Sequence, residues 1–381
     1  MKKKICIVAA TPLTFHLFMR PHLNKLAEWS DVTIVYNQNY HKNVQPIKVV
    51  AKTKHIEIVR QISIFRDLVA LGKLIYFFKR ENFAAVITLV PKAGLLGSLA
   101  ARLCGIKTRI HIFQGEVWFS KKGIIRKILK NADKIIALMS SHLLSVSETQ
   151  REFLVEQKIC KDHKLRILGP GSVSGVDTKR FSPNSQNRLK IRQKYDICSN
   201  ACVILFVGRI VRDKGLRELV EAFNDLCAKH KGVVLMLIGP DDEGLMLGLR
   251  EHIRSENHSR FIYCGLSNFP EKYMAASDIF CLPSYREGFG LAALEASSCA
   301  LPVVGTQIHG LSDAVINNET GILVPVANHH ELSNALSTLI QQPKLRSLFG
   351  RAGRKRVVRN FEHQKVVEIY SNFFRAVIDK K

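Results

Sequence analysis

Ile279-Phe-Cys-Leu-Pro-Ser-Tyr-Arg-Glu-Gly-Phe-Gly-Leu-Ala-Ala-Leu-Glu-Ala-Ser-Ser298 is the stretch on which the fold turns. Four apolar residues make a short strand, a turn bearing Gly288 and Gly290 follows, and an amphipathic helix opens at Leu291. Strand, tight turn and helix in that order form the repeating unit of a parallel sheet. Unpaired backbone N–H groups at the helix start, with the positive end of its dipole, suit a phosphate, and glycines let a ligand approach the backbone. Glu287 stands at the entrance and Glu295 about two turns in. A carboxylate accepts paired hydrogen bonds from vicinal hydroxyls, so the two suit sugar rings flanking a diphosphate. The plainer alternative is a surface glutamate and a glutamate near the helix start.

The same alternation runs outward in both directions. Ile5–Ala10, Val32–Tyr36, Ile56–Val59, Ala85–Val90, Thr108–Phe113 and Lys134–Leu138 read as strands separated by polar or helical segments. The polar run Phe181-Ser-Pro-Asn-Ser-Gln-Asn187 reads as a linker. The pattern then restarts with Val203–Val207, Val233–Ile238, Phe261–Cys264, Ile279–Pro283, Pro302–Gly305 and Gly321–Val324. The expectation is α/β: two doubly wound Rossmann-like domains, 1–185 and 186–360, facing a cleft, with 361–381 as a terminal helix. Ligands in such sheets bind beyond the carboxyl ends of the strands, which makes the cleft the expected site.

The 381-residue length suits two domains, and 46% hydrophobic with 23% charged residues excludes disorder and collagen. The charge is lopsided. Residues 1–190 hold 33 basic and 12 acidic side chains, net +21, whereas 191–381 hold 24 and 20, net +4. Such a field attracts phosphates, nucleic acid or anionic lipid and says nothing about fold. The nine cysteines include no Cys-x-x-Cys pair and read as reduced core thiols. The start Met1-Lys-Lys-Lys-Ile-Cys-Ile-Val-Ala-Ala10 carries too short an apolar run for a signal peptide and reads as a first strand. No window approaches the ~20 apolar residues of a membrane span, so the expected location is cytoplasmic, peripheral on the inner face of the cell membrane.

Two motif matches compete. Gly288-x-Gly290-x-x-Ala293 fits a permissive dinucleotide fingerprint, but the following strand ends without an acid and the first strand leads into Ala10-Thr-Pro-Leu-Thr-Phe15 with no glycine. A dehydrogenase is therefore disfavoured. Phe206-Val-Gly-Arg-Ile-Val-Arg-Asp-Lys-Gly-Leu216 is a strand end turning into a helix; Asp213 and Gly215 flank Lys214 where a Walker loop has Gly and Ser/Thr. Arg209 as a fork and Lys214 as a point charge can still reach a diphosphate and neutralise it without a metal. Solvated basic residues near a turn are the alternative.

Taken together these segments resemble the retaining nucleotide-sugar glycosyltransferases of GT-B fold, family four, which includes glycogen synthase relatives and bacterial surface-polysaccharide transferases. The matching residues are Gly175-Val-Asp-Thr-Lys-Arg-Phe-Ser-Pro183, Val207-Gly-Arg-Ile-Val-Arg-Asp-Lys-Gly215, Leu282-Pro-Ser-Tyr-Arg-Glu-Gly-Phe-Gly-Leu291, Leu301-Pro-Val-Val-Gly305 and Glu319-Thr-Gly-Ile-Leu-Val-Pro325. The resemblance implies that Arg209 and Lys214 bind the donor diphosphate, Glu287 holds the donor sugar and Glu295 the nucleotide ribose. It also implies that Gly288, Phe289, Gly290 and Leu291 offer backbone amides, that Gly208 lies in the donor site, and that Leu266 and Ser267 flank the base. The terminal helix would return to the first domain. No cofactor or metal is implied beyond the nucleotide sugar as co-substrate.

The first domain departs from that pattern. Thr11-Pro-Leu-Thr-Phe15 replaces the relatives' Gly-Gly pair, with Thr14 as a weak substitute, and Gln114 falls where many relatives have His. His111 reads as a packed strand residue or a contact, and Glu116 as a cleft acid. Lys121–Lys130, with Ile124, Ile125, Ile128 and Leu129 on one face and cations on the other, suits an anionic membrane. Arg60–Arg80, carrying Phe65, Leu68, Leu71, Ile75 and Phe78 between basic residues, is a second such stretch, and ordinary domain helices with a solvated basic face are the alternative for both. The expected activity is transfer of a hexose or N-acetylhexosamine, UDP-linked, to a saccharide acceptor, lipid-linked, in O-antigen, capsule or related glycan assembly. Alternatives are an epimerase or phosphorylase on the same fold, and a non-catalytic basic protein binding lipid or nucleic acid. The chain shows no nucleic-acid-binding motif.

Overall fold

The computed structural model describes residues 2–39, 50–59 and 61–380, which divide into two compact units: 1–175 with 363–381, and 176–362. In the first, seven strands lie in the order β3-β2-β1-β4-β5-β6-β7. They are β1 Lys3–Val8, β2 Ser30–Tyr36, β3 Lys52–His55, β4 Ala85–Leu89, β5 Thr108–Phe113, β6 His142–Ser145 and β7 Leu165–Ile167. In the second, β8 Cys202–Val207, β9 Val233–Ile238, β10 Phe261–Tyr263, β11 Ile279–Leu282, β12 Val303–Thr306 and β13 Gly321–Val324 take the order β10-β9-β8-β11-β12-β13. Every adjacent pair is parallel. Both orders reverse direction once, between β1 and β4 and between β8 and β11, and such a reversal opens the crevice where a ligand binds.

Central strands are apolar because both faces are covered: Val203, Ile204, Leu205 and Phe206 of β8 and Ile279, Phe280 and Cys281 of β11 are wholly buried. The register Ile279↔Ile204 and Phe280↔Leu205 brings the carboxyl ends of the two strands side by side.

Several expected elements shift. Lys134–Leu138, read as a strand, lies inside the helix Gly123–Met139, where Asp133, Ile136 and Ala137 face inward at helical spacing; the strand is the next segment, His142–Ser145. Ile56–Val59 follows β3 rather than forming it. The edge strand is Lys52-Thr-Lys-His55, exposed along its length, so it carries no apolar alternation to find. The short β7 had no counterpart in the sequence reading. The segment read as a linker enters a helix, Ser185–Lys194, whose first turn is capped by the Asn184 side chain accepting from the Asn187 N–H at 2.8 Å.

The chain also changes unit ten residues earlier than the expected 185/186. Val176 bridges Glu362 and donates to the Phe361 carbonyl at 2.7 Å, and the Phe181 carbonyl accepts from Ser298 Oγ at 2.6 Å, which binds 176–181 into the second unit. The final helix, His363–Asp379, returns to the first. Tyr370 OH donates to the Ser172 carbonyl at 3.1 Å, Trp29 Nε1 donates to Ser371 Oγ at 3.1 Å, and Lys3 pairs with Asp379 at 2.9 Å.

Candidate active site

At the reversal point of the second unit, the loops leaving β8 and β11 are tied together. Gly215 adopts the left-handed conformation, φ +65°, and a Cβ there would fall 2.0 Å from the Pro283 carbonyl oxygen, so glycine is what allows the two loops to touch. The Tyr285 N–H donates to the Asp213 carbonyl at 2.9 Å, and Arg286 pairs with the Asp213 carboxylate at 3.1 Å. The charged groups meet across this seam: Lys214 Nζ lies 2.5 Å from Glu287 Oε1, with both side chains mostly buried at 17% and 13% exposure. Ser284 Oγ donates to the same carboxylate oxygen at 2.7 Å, and the Ser284 carbonyl in turn accepts from Thr306 Oγ1 on β12.

The Lys214 ammonium is thus held in place before any ligand arrives. Arg209, at the exit of β8, is looser: its guanidinium stands 3.4 Å from Asp242, and both side chains are largely exposed. Gly208 donates to the Ile238 carbonyl at 2.9 Å, running the β8 exit alongside that of β9. Beyond Glu287 the chain passes through Gly288 and Phe289 to Gly290, which is left-handed, φ +78°, and immediately precedes the helix Leu291–Ser298. No side chain caps that helix, so its first N–H groups are left to solvent or a ligand. Phe289 turns its ring inward against Phe361, centroids 5.5 Å apart, and offers only its backbone.

Glu295 lies on the same helix, partly buried. Burial pushes its carboxyl up to about 8, with Arg180 pulling it down and Glu271 pushing it up. Arg180 also pairs with Glu271 at 2.9 Å and donates to the Asn268 carbonyl at 2.8 Å, which anchors the turn carrying Leu266 and Ser267. Leu266 is exposed, and Ser267 Oγ accepts from the Phe269 N–H at 3.1 Å.

The structure therefore gathers Lys214, Glu287 and the Gly288–Leu291 backbone at one strand-end crevice of the second unit, with Arg209 at the neighbouring exit of β8 and Glu295 on the helix behind. Sequence reasoning missed Ser284, Asp213 and Asp242, which orient the charged groups, and Arg180, which ties the turn at 266–268. Their partners are 3 to 91 residues away, and only Ser284, three residues before Glu287, was within local reach.

The candidates in the first unit are mostly interior. His111 on β5 is buried under Gly94; its Nδ1 lies 2.8 Å from Thr88 Oγ1, and desolvation drives its imidazole down to about 3, so the ring is neutral. Glu116 is also buried rather than an open cleft acid, accepting from Gln150 Nε2 at 2.8 Å. Thr14 is buried with its hydroxyl 3.4 Å from that of Thr11. Gln114 is partly buried, and its Nε2 has no hydrogen-bond partner among the described residues.

Comparison with known proteins agrees with this fold. Residues 187–356 match the family described as glycosyl transferases group 1. The chain is 29% identical over 324 residues to the capsular polysaccharide biosynthesis glycosyltransferase CapM of Staphylococcus aureus, covering 85% of this chain and 84% of that one. It is 26% identical over 330 residues to the Escherichia coli UDP-Gal:alpha-D-GlcNAc-diphosphoundecaprenol alpha-1,3-galactosyltransferase, covering 85% and 83%. Among solved structures, Anabaena HepE in complex with UDP and glucose superposes with a TM-score of 0.83 at 14% identity, over 98% of this chain and all of that one. Two parallel sheets of reversing order and the superposition on HepE give the chain the GT-B fold, and its residues 187–356 resemble the glycosyl transferases of group 1.

Proposed function

We propose that the protein moves a hexose or N-acetylhexosamine from a UDP-linked donor to a lipid-linked saccharide, with retention of anomeric configuration, during assembly of a surface polysaccharide. The Lys214–Glu287 pair beside the open helix start at Leu291 carries this reading. In it, Lys214 and Arg209 take the donor diphosphate, and Glu287, freed from part of its bond to Lys214, accepts from sugar hydroxyls. Glu295 takes the ribose hydroxyls, and the backbone of 288–291 meets phosphate and sugar. The cations and the helix dipole stabilise the charge that develops on the departing diphosphate, so the proposed reaction needs no metal. The acceptor hydroxyl attacks from the face the nucleotide leaves, and the departing phosphate oxygen takes its proton.

The two relatives reported above support the pathway and the acceptor: one is named for capsule biosynthesis, the other for a diphosphoundecaprenol-linked acceptor. Among the described residues no helix is long and apolar enough to cross a membrane. A peripheral seat is proposed instead on the first unit. On the helix Gly123–Met139, Ile124, Ile125 and Ile128 are exposed among Lys121, Lys122 and Lys127, whereas Leu129 packs inward. On the helix Ile64–Glu81, Phe65 and Leu68 are exposed while Phe78 is core and Leu71 and Ile75 are half-buried against it; Arg60 lies outside the described residues. Both helices pack against the helix Pro91–Leu103.

The test is incubation of the purified protein with UDP-sugars and a polyprenyl-diphosphate-linked saccharide, with products identified by mass spectrometry and anomeric configuration by NMR. The reading expects an α-linked product from an α-linked donor. A donor whose stereochemistry changes without transfer, or a product of inverted configuration, would refute it.

A further inference from the structure

Away from the donor site, the second unit brings four metal-ligating side chains together from two helices. Glu221 and Asp225 lie four residues apart on the helix Leu216–Lys229, and so on one face of it. His329 and His330 are the first two residues of the helix His329–Gln341, which packs against it. One donor atom each from Asp225, His329 and His330 lies within 4.8 Å of the others. His329 Nδ1 stands 3.3 Å from Glu221 Oε2, and His330 Nδ1 stands 4.0 Å from Asp225 Oδ2. The two imidazole rings are 3.9 Å apart between centroids, tilted by 39°.

From this arrangement we infer that Asp225, His329 and His330 form a binding site for a divalent transition metal, zinc by its chemistry, which staples the two helices. Two imidazoles and a carboxylate are the donor set of zinc and its neighbours in the transition series, and magnesium and calcium prefer all-oxygen shells. Glu221 is the positioning residue. A carboxylate on one imidazole nitrogen fixes the ring's tautomer and aims the other nitrogen at the metal, and Glu221 is itself steadied by Arg217 at 3.1 Å. The fourth position is open to water. The metal takes no part in sugar transfer: Asp225 lies nine residues into the helix from Leu216, about 14 Å along its axis from the end next to Lys214. Its effect is on the rigidity of the helix whose first turn follows the cationic seam.

The experiment uses the full chain after chelator treatment and exchange into metal-free buffer. Zinc is titrated while thermal unfolding is followed, and cobalt replaces it to give a visible d–d spectrum that reports coordination geometry. The wild type is expected to gain a zinc-dependent rise in Tm that magnesium does not produce, together with a four-coordinate cobalt spectrum. His329→Gln, His330→Gln and Asp225→Asn should each weaken zinc binding by at least about tenfold, while Glu221→Gln weakens it by about 10- to 100-fold and alters the cobalt spectrum. These side chains are partly or fully exposed, so the metal-free variants should unfold near the wild-type midpoint, separating a lost ligand from a lost fold. Zinc binding that survives the His329→Gln/His330→Gln double variant, or an octahedral cobalt spectrum in the wild type, would overturn the proposal.

Discussion

In the proposed reaction the chemistry depends most on Lys214, because its ammonium is already placed, mostly buried, by Glu287. Lys214→Ala is expected to lower kcat by about 10²–10³, the scale of removing one oxyanion donor. Glu287→Gln keeps the size of the side chain but loses the charge-assisted bond; a rise in donor KM of about 10- to 100-fold is expected. Steady-state kinetics separates the two effects. Glu295 carries a stability signature of its own. Its carboxyl is held near 8 in the fold against an ordinary 4.5, so the native state keeps the proton longer than the unfolded chain does. Stability is therefore fully present below about 4.5 and falls as pH rises through 8. Glu295→Gln, neutral throughout, should match the wild type at pH 4.5 and resist denaturant better at pH 8, even though it binds donor less well. An advantage that shrinks with rising pH would contradict the burial argument.

At the scale of elements, the proposed donor site is a junction of two loops, and Gly215 is where they meet. Gly215→Ala would push a methyl group into the Pro283 carbonyl and force a left-handed conformation on alanine. A loss of about 1–3 kcal/mol in stability is expected, together with a drop in transfer rate larger than any change in acceptor KM. The turn itself was legible in the sequence, since glycines and charged residues between an apolar strand and a helix have few other uses. What stabilises it was not. Asp213 meets Tyr285 and Arg286 more than seventy residues on, and Ser284 looks like any other loop serine until its hydroxyl is seen on Glu287. The misreadings have the same origin. Lys134–Leu138 is apolar after its lysine, with two isoleucines, but continues the helical spacing begun at Gly123, and Lys52–His55 is a strand only because β2 lies beside it. On the proposed membrane face, replacing Ile124, Ile125 and Ile128 together with Ser should abolish sedimentation with anionic vesicles while leaving transfer to a soluble acceptor analogue intact.

Across the whole molecule, the division of charge matches the proposed division of labour. Net charge of +21 on residues 1–190 against +4 on the remainder places the attractive field on the part that carries the exposed apolar helices. Binding to phosphatidylglycerol vesicles should weaken steeply as salt rises, and donor binding, which rests on the mostly buried Lys214, should weaken much less. The architecture was legible because alternating apolar runs and helices over nearly the whole length admit few topologies. The first unit's site residues were harder. His111 and Glu116 carry the right chemistry but are interior, a fact that depends on Gly94 and Gln150 and on no local pattern.

Binding of a nucleotide sugar by the second unit at the Lys214–Glu287 seam is tested by thermal unfolding with UDP-, GDP-, ADP- and dTDP-sugars, for wild type, Lys214→Ala and Glu295→Ala. A ligand that binds only the native state raises Tm. A rise with a UDP-sugar that is sharply reduced in both variants is expected. No rise with any donor, or a rise equal in all three proteins, would contradict it.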